Sequence, residues 1–304
     1  MVRVVALDIG SGYTKCFDGN QRIIFPSVYS YLWEDKEGLV EAVGEKALEI
    51  AQDSNVLTFY PIVEGMPQPE PFFKLTEGAL HRLRIHSCED VCLITGLPYE
   101  TGEDDRERIE KLLKDKLHLR EVIFYPQAAG TLFDLGLESA TVINIGHGTT
   151  EIAVIEKHNV VCGISEPLAS DYIVTSLSNF IRSKHGLEPT TDSLTAFISE
   201  RIDAITAFEK NFVHRKGADT QIQSVVDQTV VDYLAEKIAN DARHLLTQLS
   251  PNLDCATPIV LSGGGSLIAG IREAIDRELN CKLLVPSDPI FSNVLGFYKM
   301  GRKL

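Results

Sequence analysis

The sequence predicts an α/β protein built from two similar domains that face each other. Three observations carry this reading. A three-strand meander with a glycine turn between its first two strands opens the chain, and the same pattern starts again near residue 140. Each meander is followed by helices and further strand-like runs, the order expected of layered α/β units. The chain has 304 residues, enough for about two domains.

The first strand is the apolar run before Asp8, and Val4-Val-Ala-Leu-Asp-Ile-Gly-Ser-Gly-Tyr-Thr-Lys15 reads as strand, tight turn, strand. Arg22-Ile-Ile-Phe-Pro-Ser27 is the third strand, stopped by Pro26. No long crossover separates the three, so they pair antiparallel. Residues 29–45 carry the charged turn 34–37 and read as a solvated loop, and 44–51 has helical spacing. The proline-rich stretch 65–71 is expected to be neither regular helix nor central strand. Residues 72–84 follow as an amphipathic helix with Phe72, Leu75, Ala79, Leu80 and Leu83 on one face.

Residues 91–98 form a buried strand, and a helix with an acidic first turn, suited to the positive end of the helix dipole, runs from Glu103 to about Leu117. Residues 121–126 are a strand, and 127–136 a helix closed by Gly136. Strands then resume at 140–143, 152–155 and 160–164. Helical patterns cover 169–185, 193–212 and 224–249. Residues 258–266 are a strand running into glycines, 268–279 a helix, 281–285 a strand, and 288–301 a loop and final helix.

Composition narrows the function. Hydrophobic content of 44% and charged content of 24% are ordinary for a folded protein. No apolar run reaches the roughly eighteen residues of a membrane span, and the N-terminus lacks the pattern of a signal peptide. The six cysteines lack paired metal-ligand spacing and read as reduced, mostly buried thiols. These features predict a cytoplasmic protein. The formal charge of −14 disfavours direct contact with nucleic acid. It leaves room for a single nucleotide, because backbone amides and Mg²⁺ supply positive potential locally.

The chemistry is expected at three glycine-rich strand ends: 8–15, Asn144-Ile-Gly-His-Gly-Thr-Thr-Glu151, and 262–266. Glycines let a ligand approach the amides closely, and hydroxyls at Ser11, Thr149 and Thr150 add donors. The first two turns can clasp a triphosphate from opposite sides, and the third can meet a base or α-phosphate. Such chemistry requires a divalent ion, which a carboxylate such as Asp8 can hold through its waters, and a polar residue to orient the attacking water. There is no Walker A motif, nucleophile elbow or zinc-ligand cluster.

These motifs carry a resemblance. Asp8-Ile-Gly-Ser-Gly-Tyr-Thr-Lys15 resembles the first phosphate loop of actin, and residues 144–151 resemble the second. Ile259-Val-Leu-Ser-Gly-Gly-Gly-Ser266 resembles the adenosine motif, helix 127–136 the connecting helix that begins with the catalytic Gln, and Tyr60-Pro-Ile-Val-Glu-Gly65 an actin-type segment. The tail 289–301 is similar to that of bacterial plasmid-segregation actins (ParM/StbA-like) and an archaeal actin relative. The resemblance implies an actin-like (ribonuclease H-like) fold: duplicated domains facing a nucleotide cleft, with small outer subdomains near 28–60 and 184–224. The implied division is domain I over 1–136, domain II over 137–285, and a C-terminal helix over 286–304 returning to domain I.

It further implies ATP and Mg²⁺ as ligands. Asp8 would hold the metal's water shell, and Gly10, Ser11, Gly12, Tyr13 and Lys15 would bind phosphate. Gln127 would orient the lytic water, with helix capping as its alternative role. Gly146, His147, Gly148 and Thr149 would close from the second domain, and Gly263, Gly264 and Gly265 would line the adenosine. Glu236 is similar to the ribose-contacting position, the alternative being an exposed helix face shared with Lys237.

Asn144 departs from the family's usual Asp and removes a negative charge beside the metal and water. Glu151 either restores a carboxylate nearby or faces solvent. Residues 167–171, Pro-Leu-Ala-Ser-Asp, lack the usual Gly before the Asp. The leading expectation is an ATPase that polymerises head to tail, in DNA segregation through a DNA-binding adaptor or in a cytoskeleton. The alternatives are a slow-turnover, nucleotide-locked scaffold and a small-molecule kinase of the same superfamily.

Overall fold

A computed structural model describes residues 2–34, 38–52, 55–185, 231–249, 257–268 and 270–303. The helix expected over 193–212, the start of that expected from 224, and most of the second outer segment lie outside these residues.

The first sheet is ordered β10-β9-β1-β2-β3. Its strands are β1 (Arg3–Ile9), β2 (Tyr13–Phe17), β3 (Arg22–Pro26), β9 (Val91–Leu97) and β10 (Glu121–Pro126). β1 pairs antiparallel with β2 and parallel with β9. The second sheet is ordered β13-β12-β11-β14, from β11 (Ala140–Ile145), β12 (Thr150–Glu156), β13 (Asn159–Glu166) and β14 (Ile259–Ser262). A parallel bridge from Val260 to Leu284 adds a fifth position beyond β14. Both sheets therefore share one topology: an antiparallel meander, then parallel strands on the far side of the first strand. This is the duplication that the repeated glycine-turn pattern predicts.

The central strands are buried on both faces, which explains their unbroken apolar sequence. In β1, Val5, Leu7 and Ile9 pack outward with α2 (Pro69–Arg82) and α3 (Glu103–Leu117), while Val4 and Ala6 pack on the C-terminal helix α8 (Ser292–Gly301). In β11, Ile143 and Ile145 pack outward with α6 (Val231–Leu249) and α7 (Ile271–Leu279), while Ala140 and Val142 pack on α4 (Gln127–Leu135). The layers thus run α2/α3, first sheet, α8 with α4, second sheet, α6/α7. Full burial of a side chain such as Phe72 or Leu75 contributes about 1.5–3 kcal/mol.

The two inner helices cross at glycines. A Cβ on Gly296 would fall on the Gly130 carbonyl oxygen. Asn293 Oδ1 accepts from the Thr131 N–H and hydroxyl at 3.2 and 2.8 Å, and Asp134 accepts from Ser292 Oγ at 3.0 Å and Lys299 Nζ at 2.6 Å.

Three local expectations are corrected. The stretch read as a loop over 29–45 holds two strands: β4 (Tyr29–Glu34) and β5 (Gly38–Val43) pair antiparallel, extended by β6 (Leu57–Phe59), and a two-residue pair, β7 (Ile62–Val63) with β8 (Met66–Pro67), follows. The pairing of Tyr29 and Tyr31 with Val43 and Glu41 is hidden in the sequence by the charged run 34–37. Helix α1 (Glu45–Ile50) covers one face through Ala47, and the whole forms a small outer unit. Second, α2 starts at Pro69, inside the proline-rich stretch. Pro69 and Pro71 fall in the first turn, where the missing N–H groups have no helical acceptor. Third, 281–285 contributes a single bridge instead of a strand, and α7 begins at Ile271 after a 3₁₀ turn, Gly264–Leu267. Cys16, Cys88, Cys92 and Cys162 carry unbridged thiols. No helix among the described residues is long and apolar enough to cross a membrane.

Candidate functional site

The β1–β2 turn is closed by Gly10 N–H donating to Tyr13 O at 3.2 Å. Asp8 and Lys15 face each other in the ladder below it, and Lys15 Nζ lies 3.0 Å from Asp8 Oδ2. Asp8 is only 3% exposed. Gln127, the first residue of α4, donates from Nε2 to Ile9 O at 3.1 Å and to Asp8 Oδ1 at 3.4 Å. Gln127 is therefore a buried side chain aimed at the first turn, beyond any capping role. Tyr13 stands largely exposed at the turn's edge.

The β11–β12 turn is built the same way: Gly146 N–H donates to Thr149 O at 2.9 Å. The two turns touch. Gly148 N–H donates to Ser11 Oγ at 3.1 Å, and Gly12 lies so close to His147 that a Cβ there would meet the imidazole side chain. Helix α5 (Ser170–His185) starts against the second turn, with Asp171 N–H donating to His147 O at 2.9 Å and Ser170 Oγ to Gly146 O at 2.9 Å. The unusual stretch 167–171 thus ends by buttressing this turn, and Asp171 Oδ2 borders Gly148.

The third turn meets the end of β11. Asn144 Oδ1 accepts from Ser262 Oγ at 3.3 Å, which turns its side chain toward that turn. Gly263, at φ 83°, adopts backbone that side chains resist. Added Cβ atoms on Gly263 and Gly265 would collide with Ile145, whereas Gly264 borders open space. Of the three glycines, two serve packing and one faces outward. Glu236 lies exposed on α6 beside buried Leu234 and Ala235, and no described contact joins it to the turns.

Glu151 is the residue whose role the sequence left open. It is 3% exposed and accepts from Ala128 N–H at 2.9 Å and Tyr99 N–H at 3.1 Å. Burial pushes its carboxyl up to about 8 against the lowering effect of these two bonds, and the nearby Asp8 and Glu100 carboxylates push it the same way. Its place directly opposite Asn144 in the ladder was the available signal.

The groups gathered here fit a phosphate chain: the Ser11 hydroxyl and Lys15 as donors, beside glycines at 12 and 148 whose missing side chains let the two turns come together. The buried Asp8 carboxylate fits a hydrated Mg²⁺ held through water. Among the described residues no cluster of three or more His, Cys, Asp or Glu could ligate a metal directly, so an ion here would be held mainly by phosphate and water.

Two sheets of one topology, each presenting a glycine turn to a common cleft and joined by two inner helices, define a member of the actin superfamily. The family model for MreB/Mbl protein matches residues 2–304, and the chain belongs to that family. It is 24% identical to cell shape-determining protein Mbl of Bacillus subtilis, over 97% of this chain and 94% of that protein. MreB5 of Spiroplasma citri bound to ADP superposes with a TM-score of 0.78 at 18% identity, covering 100% of this chain and 97% of that one. The MamK double helical filament gives 0.80 at 17% identity, with 100% of both chains covered.

Proposed function

We propose that this chain binds ATP with Mg²⁺ between the turns at 8–15 and 144–151, hydrolyses it, and assembles head to tail into a cytoskeletal filament. The observation that carries the reading is the Gly148–Ser11 contact, which brings the glycine turns of both sheets to one point. A structural relative solved with ADP and another that forms a double helical filament support it. The match to a cell shape-determining protein favours the cytoskeletal arm of the expectation over DNA segregation through an adaptor. Residues 1–136 and 137–285 act as the two closing domains, with 286–304 returning to the first; the packing of α8 on β1 supports this division. The filament works in the cytoplasm.

In the reaction, water attacks the γ-phosphorus, the bond to the β–γ bridging oxygen breaks, and ADP and phosphate leave. Gln127 orients that water, and Glu151 accepts its proton. Lys15 and the Ser11 hydroxyl hold the phosphates, while Gly146, His147, Gly148 and Thr149 close the second turn over them, with the Gly146 and Gly148 N–H groups spent on Thr149 O and Ser11 Oγ. Mg²⁺, when bound, neutralises phosphate charge. Closure of the two domains fixes the shape that polymerises, and a heterologous contact that does not close gives a filament.

Phosphate release and sedimentation are measured with Mg-ATP, for wild type and Gln127→Ala. Expected are polymer with wild type and a roughly 10²-fold slower release in the variant, within the span of positioned acid–base and water-orienting groups. Failure to release phosphate and failure to sediment at any protein concentration would overturn the reading. One observation favours a second reading, a nucleotide-locked scaffold: a Glu151 carboxyl raised to about 8 is mostly protonated at neutral pH and a poor base. Turnover that stays negligible even at pH 9 would select it.

A further inference from the structure

Glu151 is held by a residue from the other side of the cleft. Tyr99 sits in the loop after β9, in the first half of the chain, yet its ring lies flat on Gly163 of β13. A Cβ built on Gly163 would stand 2.9 Å from Tyr99 Cγ and 3.1 Å from both Cδ atoms, so the ring would have to shift. Gly163 pairs with Ala153 of β12, two residues from Glu151. The ring is therefore docked on the edge strand beside the one that carries Glu151, and the same residue's N–H reaches the Glu151 carboxylate at 3.1 Å.

We propose that Tyr99 is a positioning residue for Glu151: its ring, seated on the bare backbone of Gly163, anchors the loop so that its N–H aims the Glu151 carboxylate at the cleft. The mechanism rests on the ATPase reading above. Gly163 is extended backbone, so alanine there is conformationally allowed, and its only consequence is to push the ring away. Lifting the ring draws the loop and its N–H off the carboxylate. The other bond, from Ala128 N–H, remains and leaves one oxygen less constrained.

The groups facing Glu151 are few. Asp8 on β1 and Glu100 beside Tyr99 are acidic, Lys15 is paired to Asp8, and α4, β11 and β13 bring neutral Gln127, Asn144 and Ser165. Removing a hydrogen bond that favours the charged form moves a carboxyl's midpoint upward.

The test uses the full chain with Gly163→Ala, Gly163→Val, Tyr99→Ala and Tyr99→Phe. Two readouts are taken: the pH profile of phosphate release from Mg-ATP, and the titration of the Glu151 carboxyl by NMR on ¹³C-glutamate-labelled protein, assigned with Glu151→Gln. Gly163→Ala is expected to raise both the acid limb of the rate and the NMR midpoint by about half a unit or more, with Gly163→Val moving them further. Affinity for ADP stays within about twofold, since the phosphate turns are untouched. Tyr99→Ala gives the same shift, Tyr99→Phe recovers most of it, and Gly163→Ala adds nothing in the Tyr99→Ala background, where no ring remains to displace. A Gly163→Ala protein that loses thermal stability while its Glu151 midpoint stays at the wild-type value overturns the proposal. So does an equal shift with and without the ring. If wild type releases no phosphate, the ATPase reading fails, and the NMR titration still decides the placement of Glu151.

Discussion

Gly148 and Ser11 meet across the cleft, the amide of one donating to the hydroxyl oxygen of the other at 3.1 Å. As acceptor of that bond, Ser11 keeps its own hydrogen to donate to phosphate. It stitches the two turns together and, on the proposed function, grips the ligand at once. Ser11→Ala removes both functions and leaves the Gly148 amide short of a partner. A lost hydrogen bond and an unpaired donor cost about 1–3 kcal/mol, so ADP affinity should fall about 5- to 150-fold by calorimetric titration. Unchanged affinity would show that the turns do not act together.

Asn144 is expected to slow hydrolysis. Asn144→Asp keeps the acceptor for Ser262 Oγ and restores a negative charge at the end of β11. Phosphate release should rise severalfold in a steady-state assay, with nucleotide affinity little altered. An unchanged turnover rate would remove Asn144 from the mechanism.

Glu151 makes the fold sensitive to alkali. Its folded carboxyl is raised to about 8, against about 4.3 in an unfolded chain. Between these values the folded state holds a proton that the unfolded state has released, so stability falls as pH rises through this window. Below the lower value the contribution is fully present, and above about 8 it is gone. Glu151→Gln lacks the titration. Urea unfolding of wild type and variant from pH 5 to pH 9 should therefore diverge, wild type losing a few kcal/mol relative to the variant, on the order set by the shift. Parallel curves would mean that Glu151 is ionised at neutral pH.

Gly296→Ala places a methyl group on the Gly130 carbonyl oxygen. Both partners are helical backbone and cannot rotate aside. Overpacking of this kind typically costs about 1–3 kcal/mol, and this site should reach the top of that range, read as a lower urea midpoint. Gly264→Ala, which borders open space, should stay within about 1 kcal/mol of wild type.

What the sequence reveals and what it hides follow physical range. The glycine turns, the bounds of α3 and the stop of α4 at Gly136 are legible because each depends on neighbouring residues: chain reversal, first-turn acidity, a left-handed C-cap. The repeated meander is legible because its strands are joined by short turns. Glu151 is not, because the N–H groups that hold its carboxylate belong to Tyr99 and Ala128, 52 and 23 residues away in the chain. The direction of Asn144 is set by Ser262, 118 residues distant. The β4–β5 pair is obscured by the charged run 34–37 in the sequence, and the start of α2 by prolines that are harmful only inside a helix.

The contact of α4 with α8 has a mechanical consequence. Where two helices meet backbone to backbone, neither sliding along the other nor separation is cheap, because each would break close contacts all along the crossing. Rotation about the contact point breaks far fewer. With α8 packed on the first sheet and α4 on the second, the crossing at Gly130 and Gly296 joins the two sheets through a seam that resists sliding and separation and leaves rotation as its softest motion.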